Sequence, residues 1–192
     1  MVNNAQIDVP SEFNSERLMI RTFTKDDAAK LHEALVESID ELREFLWFLP
    51  WVAETQTLAS AATRCLNAEA NFNERIDFAY LAFEKTSKRL VASVGLHRTD
   101  WAIPKTEVGF WVRTSETGKG YASECVNALT TWALEQLGAS RVDLVTSEHN
   151  AGSRSVAKAC GFHLESTSKD EMEWPDGEAK NVCLYAKLPK TA

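Results

Sequence analysis

Residues 108–122 read VGFWVRTSETGKGYA, and this stretch decides how the rest of the chain is organised. Residues 107–112 are predicted to form a strand, which leads into a polar turn that contains Gly118 and Gly120. From Tyr121 onward, apolar residues recur at three- and four-residue steps, a spacing that predicts a helix. The stretch therefore predicts a strand, a glycine-bearing turn and a helix in direct succession.

A turn of this kind presents backbone N–H groups at the positive end of a helix dipole, which suits a phosphate or pyrophosphate group. Glycine permits the unusual dihedral angles of such a turn and lets a ligand approach the backbone closely. Two nucleotide motifs do not fit. The Walker pattern requires Ser or Thr after Gly-Lys, whereas Gly120 follows Lys119, and the dinucleotide fingerprint requires a third glycine. An ordinary strand-to-helix turn is the alternative interpretation.

The composition is that of a globular protein. The chain has 192 residues, enough for one domain with a sizeable core, with 44% hydrophobic and 26% charged residues. A net charge of −7 argues against nonspecific nucleic-acid binding. The four cysteines form no C-x-x-C pair, so neither a metal site nor a disulfide framework is expected. Because the chain has no membrane-length apolar run and no signal-peptide core, we expect a cytoplasmic protein.

Periodicity predicts the element order β-α-α-β-β-β-α-β-α-β-β. Strands are expected at residues 16–23, 77–84, 90–97, 106–112, 141–146, 162–168 and 181–188. Helices are expected to begin near Ala28, Thr55, Tyr121 and Ala151, with Thr55 and Asn150 as caps and Gly161 ending the last helix. We expect an α/β fold, with a mixed sheet of about seven strands and helices on both faces. Residues 1–14 are expected to be a loose lead-in to this single domain.

Three segments together carry a family resemblance: RTSETGKGYASE at residues 113–124, Asn150-Ala151-Gly152-Ser153, and Gly161-Phe162. The chain resembles the GNAT acetyltransferase superfamily over residues 15–188, most closely the Rim-type branch that acetylates N-termini of ribosomal proteins, and its small-molecule-acetylating relatives. The family's acyl-CoA loop usually reads Gln or Arg, any two residues, Gly, any residue, and then Gly or Ala. This chain has Thr117 at the first of these positions, whereas Gly120 and Ala122 fit the two later ones. The resemblance implies the GNAT fold and an N-acetyltransferase that uses acetyl-CoA.

The resemblance also implies a cofactor site. The pyrophosphate of acetyl-CoA is expected at amides near Gly118, Lys119, Gly120, Tyr121 and Ala122. The strand at residues 107–112 is expected to diverge from the strand at 141–146, which leaves a V-shaped slot for pantetheine beside Phe110, Trp111 and Val112. An amide near Phe110 or Trp111 is expected to polarise the thioester carbonyl.

Asn150 and Ser153 match the Asn-x-x-Ser of the family at the start of the helix beside the cofactor. The resemblance implies that Asn150 contacts pantetheine and that Ser153 donates a proton to the sulfur. Simple helix capping is the alternative for both residues. The donor tyrosine of many other relatives falls on Ala157 here, which favours the branch that uses Ser153.

The resemblance names two carboxylates as candidates for the base that takes the proton of the amine, Glu107 and Glu173. An exposed carboxylate without a catalytic role is the alternative for each. Trp47 and Trp51 lie in the region that forms one wall of the family's acceptor pocket, although both also suit a packed core. His97 ends a strand near Glu107 and is a candidate to face the acceptor.

These observations favour transfer of an acetyl group to a primary amine by direct attack, without a metal. The acceptor is expected to be a protein N-terminal α-amine, and a small-molecule amine is the alternative. A protein of another class, a non-catalytic acyl-CoA-binding module, would keep the loop but tolerate the loss of both carboxylates. The protein is expected to act as a monomer or homodimer, without nucleic-acid or membrane partners.

Overall fold

The fold is built around one sheet, with the strand of residues 108–112 near its centre. The computed structural model describes residues 8–189. The strands are β1 (Glu12–Asn14), β2 (Leu18–Thr22), β3 (Phe78–Glu84), β4 (Leu90–Asp100), β5 (Lys105–Val112), β6 (Arg141–Ser147), β7 (His163–Glu173) and β8 (Ala179–Lys187). They lie in the order β1-β2-β3-β4-β5-β6-β8-β7. Only the β5–β6 pair is parallel among these strands, because a helix connects its two members whereas most other neighbours are joined by turns.

Five α-helices connect and cover the described part of the sheet. They are α1 (Ala28–Leu46), α2 (Pro50–Ala53), α3 (Leu58–Asn73), α4 (Tyr121–Glu135) and α5 (Ala151–Ala159). Alternate residues of β3 enter different cores, as expected for a strand with both faces covered. Tyr80 and Ala82 belong to the core that contains the α4 and α5 residues. Leu81 and Phe83 belong to the core that contains the α1 and α3 residues. The predicted α/β fold with helices on both faces is confirmed.

The sheet has eight strands where the sequence predicted about seven. The extra strand, β1, lies within the predicted lead-in; residues 1–7 of that segment lie outside the described residues. Phe13 explains why this segment is ordered, because its ring packs edge-on against Tyr80 at 5.4 Å and Trp132 at 5.7 Å. Backbone pairing with β2 and aromatic packing together fix β1 at the sheet edge.

Several helix ends follow the predicted local chemistry, and one does not. Asn150 caps α5 by accepting a hydrogen bond from the Ser153 N–H at 2.9 Å, and Gly161 ends it with φ of 78°. The cap of α3 is Thr57 instead of Thr55, because Thr57 and Ser60 form a reciprocal capping box. Within residues 8–189, no helix is long and apolar enough to cross a membrane.

Candidate active site

β5 and β6 separate soon after they begin to pair. Their parallel register covers only Lys105↔Arg141, Thr106↔Val142 and Glu107↔Asp143. Beyond that point, residues 108–112 pair with β4 and residues 144–147 pair with β8. One edge of each strand is therefore left unpaired, and a V-shaped opening forms where the family resemblance implied one. An open strand edge offers backbone donors and acceptors to an extended ligand.

The turn at the start of α4 has the backbone conformation that its glycines predicted. Gly118 and Gly120 adopt left-handed φ angles of 73° and 82°. The first amide of this helix to find a backbone acceptor is that of Glu124, which donates to the Gly120 carbonyl at 3.1 Å. Within the described chain, no hydrogen bond uses the N–H groups of residues 118–123 as donors. This run of free amides at a helix N-terminus fits an anionic group such as a pyrophosphate.

Charged side chains hold this turn in place. Lys119 Nζ lies 2.8 Å from a carboxylate oxygen of Glu116, so its ammonium already has a partner. Arg17 donates to the Lys119 carbonyl at 2.9 Å and pairs with Glu124 at 2.7 Å. Its guanidinium also lies over the Tyr121 ring, 4.7 Å from the centroid. Arg17 therefore ties β2 to the start of α4, a role that sequence reasoning did not assign.

A second network fixes the strand-to-turn junction against α1. The buried Arg113 donates to Glu33 at 2.5 Å and to Glu37 at 2.6 Å. Glu37 also accepts the Ser115 N–H at 3.0 Å, and the Ser38 hydroxyl accepts the Thr114 N–H. Hydrogen bonds from Ser115 and then from Arg113 hold the pKa of Glu37 at about 2, below its ordinary 4.5. These contacts anchor residues 113–115, which lead into the turn, to α1.

One cavity of about 820 Å³ connects the V-shaped opening with the space beneath α1, α2 and α3. Seven of the residues that sequence reasoning singled out line it: Trp51, His97, Glu107, Phe110, Trp111, Asn150 and Ser153. The others lie outside its wall: Trp47, Val112, Glu173 and residues 118–122 of the turn. The structure therefore brings β4, β5 and the start of α5 together at one place. Within residues 8–189, no cluster of three or more His, Cys, Asp or Glu side chains could hold a metal ion.

His97 has an orienting partner that the sequence analysis missed. Its Nδ1 lies 2.6 Å from Oδ1 of Asp77, and both residues line the cavity. The ring lies over the paired glycines Gly95 and Gly109, where any Cβ atom would come within 2.6 to 3.0 Å of it. When Asp77 accepts the Nδ1–H, Nε2 is left as the basic atom of the ring. The side chain of His97 is only one-third exposed.

The two predicted carboxylates occupy different environments. Glu107 lies directly opposite His97 in the β4–β5 register, and both of its oxygens accept hydrogen bonds from Arg98. Glu173 is exposed at the end of β7 and does not line the cavity. Its neighbour Trp174 turns inward and lines the cavity instead. Of the two candidates, only Glu107 lines the cavity.

The aromatic residues near the end of α1 also separate into two roles. Trp47 packs edge-on against Trp174, with ring centroids 6.2 Å apart. Trp174 in turn donates its indole N–H to the Glu44 carbonyl at 2.9 Å, which joins the β7–β8 hairpin to α1. Trp51 lines the cavity and stacks on Arg64, whose Cζ lies 3.6 Å from the ring centroid. Trp47 therefore packs against Trp174 outside the cavity wall, whereas Trp51 forms part of that wall.

Comparison with known proteins gives the family context. The model of the acetyltransferase (GNAT) domain family matches residues 17–163. A curated relative from Bacillus subtilis (strain 168), the putative ribosomal N-acetyltransferase YdaF, is 26% identical over 179 residues, covering 92% of this chain and 93% of the relative.

Two solved structures, both under 25% identical, show the same fold. One is RimL, a ribosomal L7/L12 alpha-N-protein acetyltransferase in complex with coenzyme A, at 18% identity and a TM-score of 0.83, covering 96% of this chain and 99% of that chain. The other is the microcin C7 self immunity acetyltransferase MccE in complex with acetyl-CoA and AMP. It has 17% identity and a TM-score of 0.82, covering 94% of this chain and 97% of that chain.

Proposed function

The chain belongs to the GNAT acetyltransferase family, and we propose that it transfers the acetyl group of acetyl-CoA directly to a primary amine. The observation that carries this proposal is the single cavity that joins the opening between β5 and β6 to the space beneath α1–α3. A donor and an acceptor can meet there without a covalent enzyme intermediate. The acceptor that we propose first is a protein N-terminal α-amine, which the similarity to the ribosomal acetyltransferases YdaF and RimL supports.

The residues of this chain fit acetyl-CoA at three places. The free amides of residues 118–123 would hold the pyrophosphate, and the unpaired edge of β5 at Phe110 and Trp111 would receive the extended pantetheine arm. Asn150 and Ser153, at the start of α5, line the same cavity. When bound, acetyl-CoA supplies the activated acetyl group that an amine can attack. Backbone N–H groups near Phe110 would then stabilise negative charge on the carbonyl oxygen.

We assign the removal of the acceptor's proton to His97. Asp77 orients its imidazole, and the glycine pair beneath it leaves room for the ring against the sheet. Glu107, directly opposite in the register and paired with Arg98, would line the path of the incoming amine. Ser153, whose hydroxyl makes no hydrogen bond within the described chain, would donate a proton to the departing sulfur.

A second candidate acceptor is a small amine with an aromatic or nucleoside part. Trp51, which lines the cavity, favours this possibility because an indole face can stack on a flat ligand. The structure of MccE, which contains AMP, supports an acceptor of this kind. Because folds do not determine acceptors, only turnover measurements can separate the two candidates.

The test is release of free thiol from acetyl-CoA in the presence of a panel of amines. The panel would contain peptides that begin with Ser, Ala or Thr, together with polyamines, aminoglycosides and aminoacyl sulfamoyl-adenosines. Turnover with peptides alone would support the N-terminal enzyme, and turnover with one small amine would support the second candidate. If no amine were acetylated while calorimetry showed CoA binding, the proposed transfer would be wrong for this panel, and a binding module would be favoured.

Variants identify the base. His97→Gln is expected to lower kcat/KM by about 100-fold or more, and Asp77→Asn by less, because Asp77 acts through the orientation of His97. Glu173→Gln is the matched control, since this carboxylate is exposed and lies outside the cavity. A loss of activity in Glu173→Gln that exceeded the loss in His97→Gln would overturn the assignment.

A further inference from the structure

The cavity contains hydrogen-bond donors that no protein group satisfies. Arg64 Nε and Trp111 Nε1 are fully buried atoms without a hydrogen-bond partner, and both side chains line the cavity. Buried polar groups are almost always paired, so two orphaned donors in one cavity call for an explanation. Since both atoms can only donate, the missing partner is an acceptor.

Arg64 is the stronger hydrogen-bond donor of the two because it carries a positive charge. It lies on α3 with its guanidinium stacked on the Trp51 ring, at 3.6 Å from Cζ to the centroid. Burial lowers the pKa of Arg64 to about 10, which still leaves it cationic at neutral pH. Stacking on an indole holds the plane of the guanidinium and leaves its N–H edge available for two parallel hydrogen bonds.

Two other arginines in the described chain with mostly buried side chains have a carboxylate partner, whereas the part-buried Arg75 and Arg154 do not. Arg21 pairs with Asp27 and Arg113 pairs with Glu37, each at 2.6 Å. No carboxylate lies within ion-pair distance of Arg64 in residues 8–189. An unpaired charge held away from water raises the free energy of the protein, so Arg64 gains more than an exposed arginine does when a ligand brings an anion.

Two of the three acidic side chains that line the cavity already have a hydrogen-bond partner. Asp77 accepts from His97, and Glu107 accepts from Arg98. Glu54 also lines the cavity, but its side chain is exposed and makes no contact with Arg64. Asp77 and Glu54 act on Arg64 only through their charges at longer range. The cavity therefore contains one buried cation, Arg64, that no carboxylate of the described residues pairs with directly.

We propose that Arg64, held by Trp51, binds a carboxylate or phosphate group on the acceptor, so that the substrates are primary amines that also carry a negative charge. The inference rests on the proposed acetyl transfer and names the chemical class of its acceptor. Trp111 Nε1 provides a second donor in the same cavity. His97 would receive the proton at the amine end, while Arg64 holds the anionic end. Two sources of the anion are possible: an acidic side chain near a peptide N-terminus, or an acidic group of a small molecule.

The kinetic test uses acceptor pairs that differ only in charge. One pair is a Ser-Asp peptide against the matching Ser-Asn peptide, and the other is phosphoethanolamine against ethanolamine. In the wild-type enzyme, the charged member of the productive pair should have the lower KM, by about 10- to 100-fold for a charged hydrogen-bonded contact. The pair that shows the preference identifies the source of the anion. Equal KM values within both pairs would overturn the proposal.

Variants connect the preference to Arg64. Arg64→Gln should remove the preference for the charged member, and Arg64→Lys should restore part of it. Arg75→Gln is a matched control, because Arg75 also has a buried, unpartnered nitrogen and stacks on an indole, that of Trp101, at 4.8 Å, but lies outside the cavity wall. A preference that survived in Arg64→Gln, or that was lost equally in Arg75→Gln, would contradict the proposal.

A binding measurement separates this inference from the proposed transfer. Calorimetry of inorganic phosphate and of succinate with the CoA-loaded protein needs no turnover. Binding to the wild type that weakens about 10-fold or more in Arg64→Gln would support the anion site even if no amine in the panel were acetylated. If both proteins bound these anions equally, the anion site would be excluded whatever the outcome for acetyl transfer. Melting curves of each variant would verify that it is folded.

Discussion

Gly95 and Gly109 lie directly opposite each other in the β4–β5 pair, and the ring of His97 lies over both of them. A Cβ atom on Gly95 would lie 2.6 Å from Cε1 of that ring and 3.1 Å from the Phe78 carbonyl oxygen. One on Gly109 would lie 2.9 Å from Cδ2 of the ring. The two glycines therefore form a niche, and their missing side chains determine where the imidazole can rest.

The first prediction concerns this niche. Gly95→Ala should displace His97 from Asp77 and lower kcat/KM by about 10- to 100-fold, because a proton acceptor must be held in place to act. Overpacking should also lower the free energy of unfolding by about 1 to 3 kcal/mol. The check is a double-mutant cycle: in a His97→Ala background, Gly95→Ala should lower kcat/KM little further. Fully additive effects on kcat/KM would show that the glycine acts independently of the histidine.

The second prediction concerns the turn before α4. Gly118 and Gly138 have almost the same φ angles, 73° and 72°, and neither has a neighbour near its missing Cβ. Alanine at either position should therefore lower the free energy of unfolding by about 1 kcal/mol through backbone strain alone. Only Gly118→Ala should also weaken CoA binding, by about 10-fold, because it redirects amides that lie free at the helix N-terminus. Equal CoA affinities in the two variants, measured by calorimetry, would remove the turn from the proposed site.

Local chemistry explains which features the sequence could predict. The strand, turn and helix of residues 107–122, the left-handed glycines and the Asn150 cap all depend on neighbours a few residues apart. The separation of β5 from β6, in contrast, was predicted only from the family resemblance and not from neighbouring residues. It could not be read from the residues because strand divergence is set by packing on both faces of the sheet.

The features that sequence reasoning missed depend on distant contacts. Asp77 meets His97 across twenty positions in the chain, and Arg64 meets Trp51 only because α2 and α3 fold against each other. Trp47 and Trp51 lie in one apolar run, yet Trp47 contacts Trp174, which comes from the far end of the chain, and Trp51 lines the cavity. Neither the spacing of apolar residues nor a short motif can indicate these side-chain contacts, because the two partners belong to separate local patterns.

The third prediction uses the low pKa of Glu37. The folded protein holds this pKa at about 2, against an ordinary value of 4.5, so the unfolded chain takes up the proton first as the pH falls. The stabilisation is therefore complete above pH 4.5 and is lost between pH 4.5 and about 2. Because the carboxylate is partly exposed, we expect a contribution of only about 1 kcal/mol at neutral pH.

The matching variant is Glu37→Gln. Its free energy of unfolding, measured by urea denaturation at a series of pH values, should lie below that of the wild type at pH 7. The two should converge near pH 2, since the wild-type carboxyl is then protonated as well. A gap that stayed constant from pH 7 to pH 2 would show that the effect of the substitution does not come from the charge on Glu37.

The last prediction separates capping from catalysis at the start of α5. Asn150 accepts its hydrogen bond from the backbone N–H of Ser153, so the cap does not use the Ser153 hydroxyl. Ser153→Ala should therefore leave the melting temperature and the CoA affinity unchanged, while kcat falls by about 10- to 100-fold if the hydroxyl protonates the departing sulfur. Asn150→Ala should instead lower the free energy of unfolding by about 1 kcal/mol through loss of the cap. If Ser153→Ala kept the wild-type kcat, the hydroxyl would have no part in the reaction, and the thiolate would have to leave unprotonated or take its proton from solvent. The two variants together thus decide whether the Asn-x-x-Ser pattern of this chain serves the helix alone or the helix and the reaction.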